Sequence, residues 1–356
     1  MQIPIKYITH VFLVSVLVLS GTPLTFTVAD ENKAIECLHL NSILEKKRQL
    51  YSDDFPDILF VIAKGGDKWI DDMNALSVIL GYQPVNLDYE HPTDLREELM
   101  IVSLERLVLM LRHHVPSSSL FKADEPLGYP GNVCVLTIDP DAVADSHRTA
   151  TLYLGGLSEQ HRPLIREDKL IRCDDYVNFM FDHEAYHCLH SLYVGPQSMS
   201  EKELWGEYSS YNEEQGANAF AMAMQIKNGV TRSGIDNLLR LRELSLLSSD
   251  PNHWTCNTLK EVSNLPEETI SKSSIQELFE FASDLQKQRE ITYNQYLQYL
   301  VNSLSAIKEL GIIHSPMHEH KDLFEDVTAN ETRAKELADR CRKAYRELTN
   351  QEYAPE

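Results

Sequence analysis

The sequence predicts an α+β fold, predominantly helical, with a small β-sheet upstream of one buried helix. Three observations carry that reading. Apolar residues recur at three- and four-residue spacing through much of the chain. Short runs rich in β-branched residues, bounded by Gly, Pro and Asp, occur in the first half. Between residues 174 and 194 the apolar positions cover most of a helix circumference, the pattern of a helix enclosed on all sides.

In chain order, residues 1–29 have the layout of a signal peptide. Lys6 supplies a positive charge, Ile8 to Leu19 is almost wholly apolar, and Thr27-Val28-Ala29 offers small residues before Asp30. That apolar core is about 12 residues long, short of the ~20 an uncleaved membrane anchor needs. Residues 30–116 read as a mostly helical N-terminal region, either a pro-segment or a lobe of the downstream domain. It holds a polar helix over 30–50 and helical spacing over 67–80 and 93–114. The run from Asp57 to Ala63 fits either a strand or the start of a buried helix. Pro116 to Gly131, with Ser117-Ser118-Ser119, reads as a loop and a domain boundary.

Strand candidates lie at Asn132–Ile138 and Ala150–Leu154. Such a pair can leave one edge free to hold an extended peptide by main-chain hydrogen bonds. The central helix is expected from Asp174, as N-cap, to Val194, with Gly195-Pro196 as its stop. A polar loop over Gln197–Ser210 leads to a second helix from Asn212 to Met224, closed by Asn228-Gly229. Residues 231–356 read as a C-terminal helical region, clearest over 274–310 and 330–349.

Charge narrows the partners. With 33 basic and 54 acidic residues the chain carries −21, which repels nucleic acid and anionic membrane. Six cysteines, Cys37, Cys134, Cys173, Cys188, Cys256 and Cys341, allow up to three disulfides in an exported chain, and there is no C-x-x-C.

Within the central helix stands His183-Glu184-Ala185-Tyr186-His187, an H-E-x-x-H motif. Residues four apart share a helix face, so His183 and His187 can aim two imidazoles at one metal ion. Glu184 lies about 100° round the helix from His183, beside the ion without occupying a coordination position. Cys188 is likewise about 100° from His187, which favours a disulfide or a buried thiol over a ligand. A buried helix must find partners for two imidazoles and a carboxylate, and a metal supplies them. Catalytic zinc takes three protein ligands. The third has three candidates: Glu214, Glu213 beside it, and His190 on the same helix.

HEAYH, with Glu214-x-x-Ala217-Asn218-x-Phe220-Ala221 on the next helix, resembles the gluzincin zinc metallopeptidases over roughly residues 176–221. The resemblance implies a zincin-like catalytic core over 117–230, with Zn2+ held by His183, His187 and Glu214 and with Glu184 as general base and proton shuttle. Where the group has Asp, this chain has Asn218. An Asp there is expected to accept the N–H of a zinc-bound imidazole; an amide oxygen accepts it without the charge. His190 does not complete the astacin-like pattern, whose last His position is Tyr193 here, and is expected to pack behind the site. Candidate oxyanion donors are Tyr208, Tyr211, His253, His314, His318 and His320. The expected function is an exported, secreted or periplasmic, zinc metallopeptidase acting on a peptide or protein. It would neither bind nucleic acid nor stay in the membrane after signal cleavage. The alternative, motivated by Asn218, is a metallopeptidase-like zinc-binding or protein-interaction protein without turnover.

Overall fold

A computed structural model of the chain describes residues 39–64, 75, 76, 79, 116–122, 131–138, 164–195, 206–248, 255–311 and 327–353. The expectations for residues 1–29, 93–114 and 150–154, and most of 67–80, lie outside these residues.

The described chain is predominantly helical with one three-stranded sheet. Helix α1 (Leu40–Asp54) turns Leu40, Leu44, Lys47 and Tyr51 inward, a stripe at three- and four-residue spacing. Strand β1 (Leu59–Ala63) settles the ambiguous apolar run as extended. It pairs in parallel with β3 (Asn132–Thr137), Leu59 against Val133. On the other side of β3 lies β2 (Ser117–Lys122), antiparallel, with Ser117 against Thr137. The order is β1-β3-β2. Val133 to Leu136 of the central strand are fully buried, which is why that run is apolar at consecutive positions.

One expectation changes here. Ser117-Ser118-Ser119 is strand, not loop: serine tolerates extended backbone, and pairing with β3 imposes it. Of the pair expected to leave a free edge, β3 is paired on both sides and 150–154 lies outside the described residues; among the described strands β1 and β2 are the outer ones. The sheet also joins residues on both sides of position 116.

Helix α2 (Cys173–Tyr193) carries HEAYH and is buried on nearly every face. Its C-cap is Val194, and Gly195 at φ +78° turns the chain away. The N-cap is Arg172 rather than Asp174, whose side chain instead pairs with Arg172. Helix α3 (Gly206–Lys227) starts inside the segment expected as a polar loop and ends before Gly229 at φ +77°. Helices α4 (Arg232–Leu244), α5 (Cys256–Ser263) and α6 (Glu267–Lys272) come next. Residues 274–310 are two helices, α7 (Ile275–Arg289) and α8 (Tyr293–Glu309). Each opens with its own capping box, Ser274 with Glu277 and Thr292 with Gln295, and the second box marks the break that apolar periodicity alone hides. Helix α9 (Glu331–Thr349) closes the described fold, capped by Asn330.

Most of the buried apolar residues form one cluster drawn from α1, β1, β3 and the helices. Three ties fix α2 within it. Cys188 bonds Cys134, stapling α2 to β3 across 54 residues of chain, so Cys188 is a disulfide half. Cys173 is also disulfide-bonded, whereas Cys256 and Cys341 are buried free thiols. Lys47 of α1 reaches both oxygens of Asp182, at 2.5 and 2.6 Å, and Tyr51 donates to Asp182 at 2.6 Å. Burial raises the Asp182 pKa, while Lys47 and Tyr51 work to lower it. Finally, α3 approaches α2 closely at Gly216. A Cβ there would stand 2.2 Å from Tyr186 Oη and 2.3 Å from Gln286 Oε1, two atoms hydrogen-bonded to each other at 2.7 Å.

Gly216→Ala is therefore expected to destabilise the fold by about 1–3 kcal/mol, despite alanine's better helix propensity, because the Tyr186–Gln286 bond must open. Lys47→Met should cost about 3–5 kcal/mol, since it strands a buried carboxylate. Urea unfolding measures both; losses within error would remove these contacts from the set that holds α2.

Candidate metal centre

Two imidazoles and one carboxylate meet where α3 crosses α2. His183 and His187, one turn apart, sit edge to face with ring centroids 5.1 Å apart. Glu214 of α3 spans them. Its Oε2 lies 3.2 Å from His183 Nε2, and its Oε1 lies 3.3 Å from His187 Nε2. One ligand atom from each residue can be chosen so that all three lie within 4.8 Å of one another. Bonds of ~2.0–2.2 Å at tetrahedral angles set neighbouring zinc donors about 3.3–3.5 Å apart. The two separations approach that edge, each through a different oxygen of Glu214, and nitrogen plus carboxylate oxygen is a donor set zinc accepts. The residues fit the ion.

Sequence order explains the meeting. Gly216, Ala217, Ala219, Ala221 and Ala223 are buried along α3, and Gly216 lies directly against Tyr186 of α2. Phe179, one turn before His183, stacks on that imidazole with 6.1 Å between centroids, and the Arg242 guanidinium sits 5.5 Å from the Phe179 ring. His183 and Glu214 are buried, whereas the His187 side chain keeps 21 % of its surface exposed, leaving the site one accessible side.

The two imidazoles are electrostatically unlike. Burial pushes His183 below its ordinary value, against the pull of Glu214 and Glu184. At His187 burial also acts downward, but Glu214, Glu184 and Glu213 outweigh it and carry the ring up to about 9. That direction favours a protonated His187 ring facing Glu214 in the ion-free protein.

Glu184 is buried beside this cluster, and Ser118 Oγ of β2 donates to its Oε2 at 3.0 Å. Sequence reasoning misses Ser118, because three consecutive serines carry no pointer to a partner 66 residues away. It also misses Lys47 and Tyr51, although Asp182, an acid inside an apolar helix, does signal that a cation must face it.

The other candidates separate cleanly. His190 is not in the cluster: it stacks on Tyr186, meets Gln286 Nε2 at 3.2 Å, and is pushed down to about 4 by burial and the neighbouring His187 and Lys287 charges. Asn218 does touch a ligand, but not the expected imidazole. Its Nδ2 donates to the Glu214 main-chain carbonyl at 2.9 Å and to Glu214 Oε2 at 3.4 Å. Tyr208 donates its hydroxyl to the Ile291 carbonyl and packs among Tyr293 and Tyr296. Tyr211 packs on Tyr296 and Tyr299. His253, His314, His318 and His320 lie outside the described residues.

Zinc uptake should release about one proton near pH 7, from His187, because a metal at Nε2 must displace it. Affinity is expected to rise about tenfold per pH unit between roughly 7 and 8.5 and to flatten near 9. The ion-free fold runs the other way: its folded-state pKa lies above the ordinary ~6.5, so this stabilisation is present below 6.5 and is lost as pH rises through about 9. Calorimetric titration with zinc in buffers of different ionisation enthalpy counts the proton; a count of zero contradicts the assignment.

Compared with known proteins, the chain matches no protein-family model, no curated protein and no solved structure, so the chemistry of the site rests on its geometry.

Proposed function

We propose that this chain is an exported zinc metallopeptidase with a zincin-like active-site helix. One observation carries the reading: both H-E-x-x-H imidazoles turn Nε2 toward the two oxygens of a single carboxylate on the next helix, at 3.2 and 3.3 Å. His183, His187 and Glu214 would hold the ion. Zinc so held supplies Lewis acidity, bringing water's pKa to about 7 and polarising a carbonyl.

The remaining chemistry belongs to the chain. Glu184 is placed to take a proton from water and return it to the leaving amine. Ser118 holds one oxygen of that carboxylate, fixing its direction and leaving the other oxygen to exchange the proton. The side of β2 away from β3 has no strand partner among the described residues, so its main chain can pair with an extended peptide beside Glu184. A disulfide running from β3 to the active-site helix supports export to an oxidising compartment. No helix among the described residues is long and apolar enough to cross a membrane.

The purified protein is expected to carry one zinc per chain and to cleave members of a peptide library. Glu184→Gln should keep the zinc and lose on the order of 10²–10⁴-fold in kcat/KM. Unchanged cleavage in that variant sinks the proposed mechanism. Stoichiometric zinc with no cleavage of any peptide would instead establish the binding-protein reading, which the neutral Asn218 beside Glu214 favours.

A further inference from the structure

We propose that Glu213 is the outer carboxylate of the metal centre, the acceptor that fixes the tautomer of His187 once Nε2 binds the ion. The inference rests on the zinc reading and names a positioning residue for that site.

The His187 ring lies between two consecutive glutamates of α3. Oε1 of Glu214 is 3.3 Å from Nε2, and Oε2 of Glu213 is 3.9 Å from Nδ1. An imidazole that gives Nε2 to a metal carries its remaining hydrogen on Nδ1, and that N–H needs an acceptor. Among the described residues, Glu213 is the carboxylate placed at that nitrogen. Its two oxygens have different neighbours. Ser209 Oγ, one helical turn earlier, donates to Oε1 at 3.4 Å, which leaves Oε2 turned to the ring. A charge-assisted hydrogen bond wants about 2.7–2.9 Å. The Glu213 side chain is 41 % exposed and has the freedom to close the difference.

Neighbouring residues on a helix point about 100° apart. Here that angle lets one dipeptide serve both edges of one imidazole, Glu214 at the ion and Glu213 behind it. The gluzincin-like pattern would place the outer acceptor four residues after the ligand. At that position Asn218 donates to Glu214, so its amide N–H steers the carboxylate ligand and not the ring. The residue preceding the ligand takes the acceptor's place.

The test compares zinc affinity, by chelator competition at one pH, in the unaltered protein, Glu213→Ala and Glu213→Gln. Glu213→Ala is expected to bind zinc about 10–100-fold more weakly. Glu213→Gln should recover part of that loss, because its amide oxygen can accept the Nδ1 hydrogen. Urea unfolding of the ion-free proteins should show both variants folded. Affinity in Glu213→Ala within twofold of the unaltered protein overturns the assignment and leaves the zinc reading standing. Equal losses in both variants also overturn it, since they would report charge at a distance and not a hydrogen bond. If the unaltered protein takes up no zinc, both the assignment and the reading fall.

Discussion

Burying helix α2 is the constraint on which the rest of the structure depends. Among its interior positions the helix carries Asp182, His183, Glu184 and His190, with His187 half-sheltered beside them. Polar groups taken out of water must be met by partners, or they cost several kcal/mol each. The elements around α2 supply them. At about 100° per residue, and with Asp182 set at zero, His190, His183 and His187 fall near 80°, 100° and 140°, Glu184 near 200° and Cys188 near 240°. Lys47 and Tyr51 of α1 meet Asp182, α3 and α7 bring Glu214 and Gln286 to the histidines, and β2 brings Ser118 to Glu184. Next round, β3 is bonded to Cys188. The order of neighbours about the helix is the order of its side chains.

That arrangement separates a structural half of the helix from a chemical half. The ion pair with α1 and the disulfide to β3 fix α2 on flanks the imidazoles do not use. Tyr186 reinforces the α3 and α7 side through its hydrogen bond to Gln286 and its fit against Gly216. A metal site needs its donors held within a few tenths of an ångström, and rigid helices with locked neighbours provide this better than loops. The partly exposed edge falls at His187 and Glu213, on the side by which the proposed ion would enter.

Legibility in the sequence divides along the same line. Periodicity is a local property, so α2 and α9 can be placed within a residue or so and α3 near its C-terminal end, while the polar start of α3 at Gly206 is hidden; the shared face of His183 and His187 comes from helix geometry. The identity of β3 is visible in a run of apolar, β-branched residues, because a central strand is buried on both faces. Partners across long separations are not visible. Nothing in Ser117-Ser118-Ser119 announces a strand, since its extended form is imposed by β3. Lys47 looks like any lysine of a polar helix until Asp182 is placed 135 residues away. The partner of Asn218 differs from the expected one for a related reason: the motif specifies the residue's offset from Glu214, whereas which neighbour its amide meets depends on how α3 is rotated against α2.

That rotation also bears on how an amide at 218 fits the proposed metal site. Glu184, Glu213 and Glu214 already put three carboxylates around the two imidazoles. An aspartate at 218 would add a fourth carboxylate within reach of Glu214 Oε2, where Asn218 Nδ2 now stands at 3.4 Å. Like charges at that distance raise each other's proton affinity, so one of the acids would compete with the metal for its own lone pairs. Asn218 offers Glu214 a donor in place of a repulsion, and its hydrogen bond to the Glu214 main chain ties that donor to the same helical turn. In the proposed site the outer carboxylate for a metal-bound imidazole would be Glu213, on the exposed side of His187. On this reading Asn218 steers the carboxylate of Glu214 from within the helix, and Glu213, on the exposed side, faces the ring.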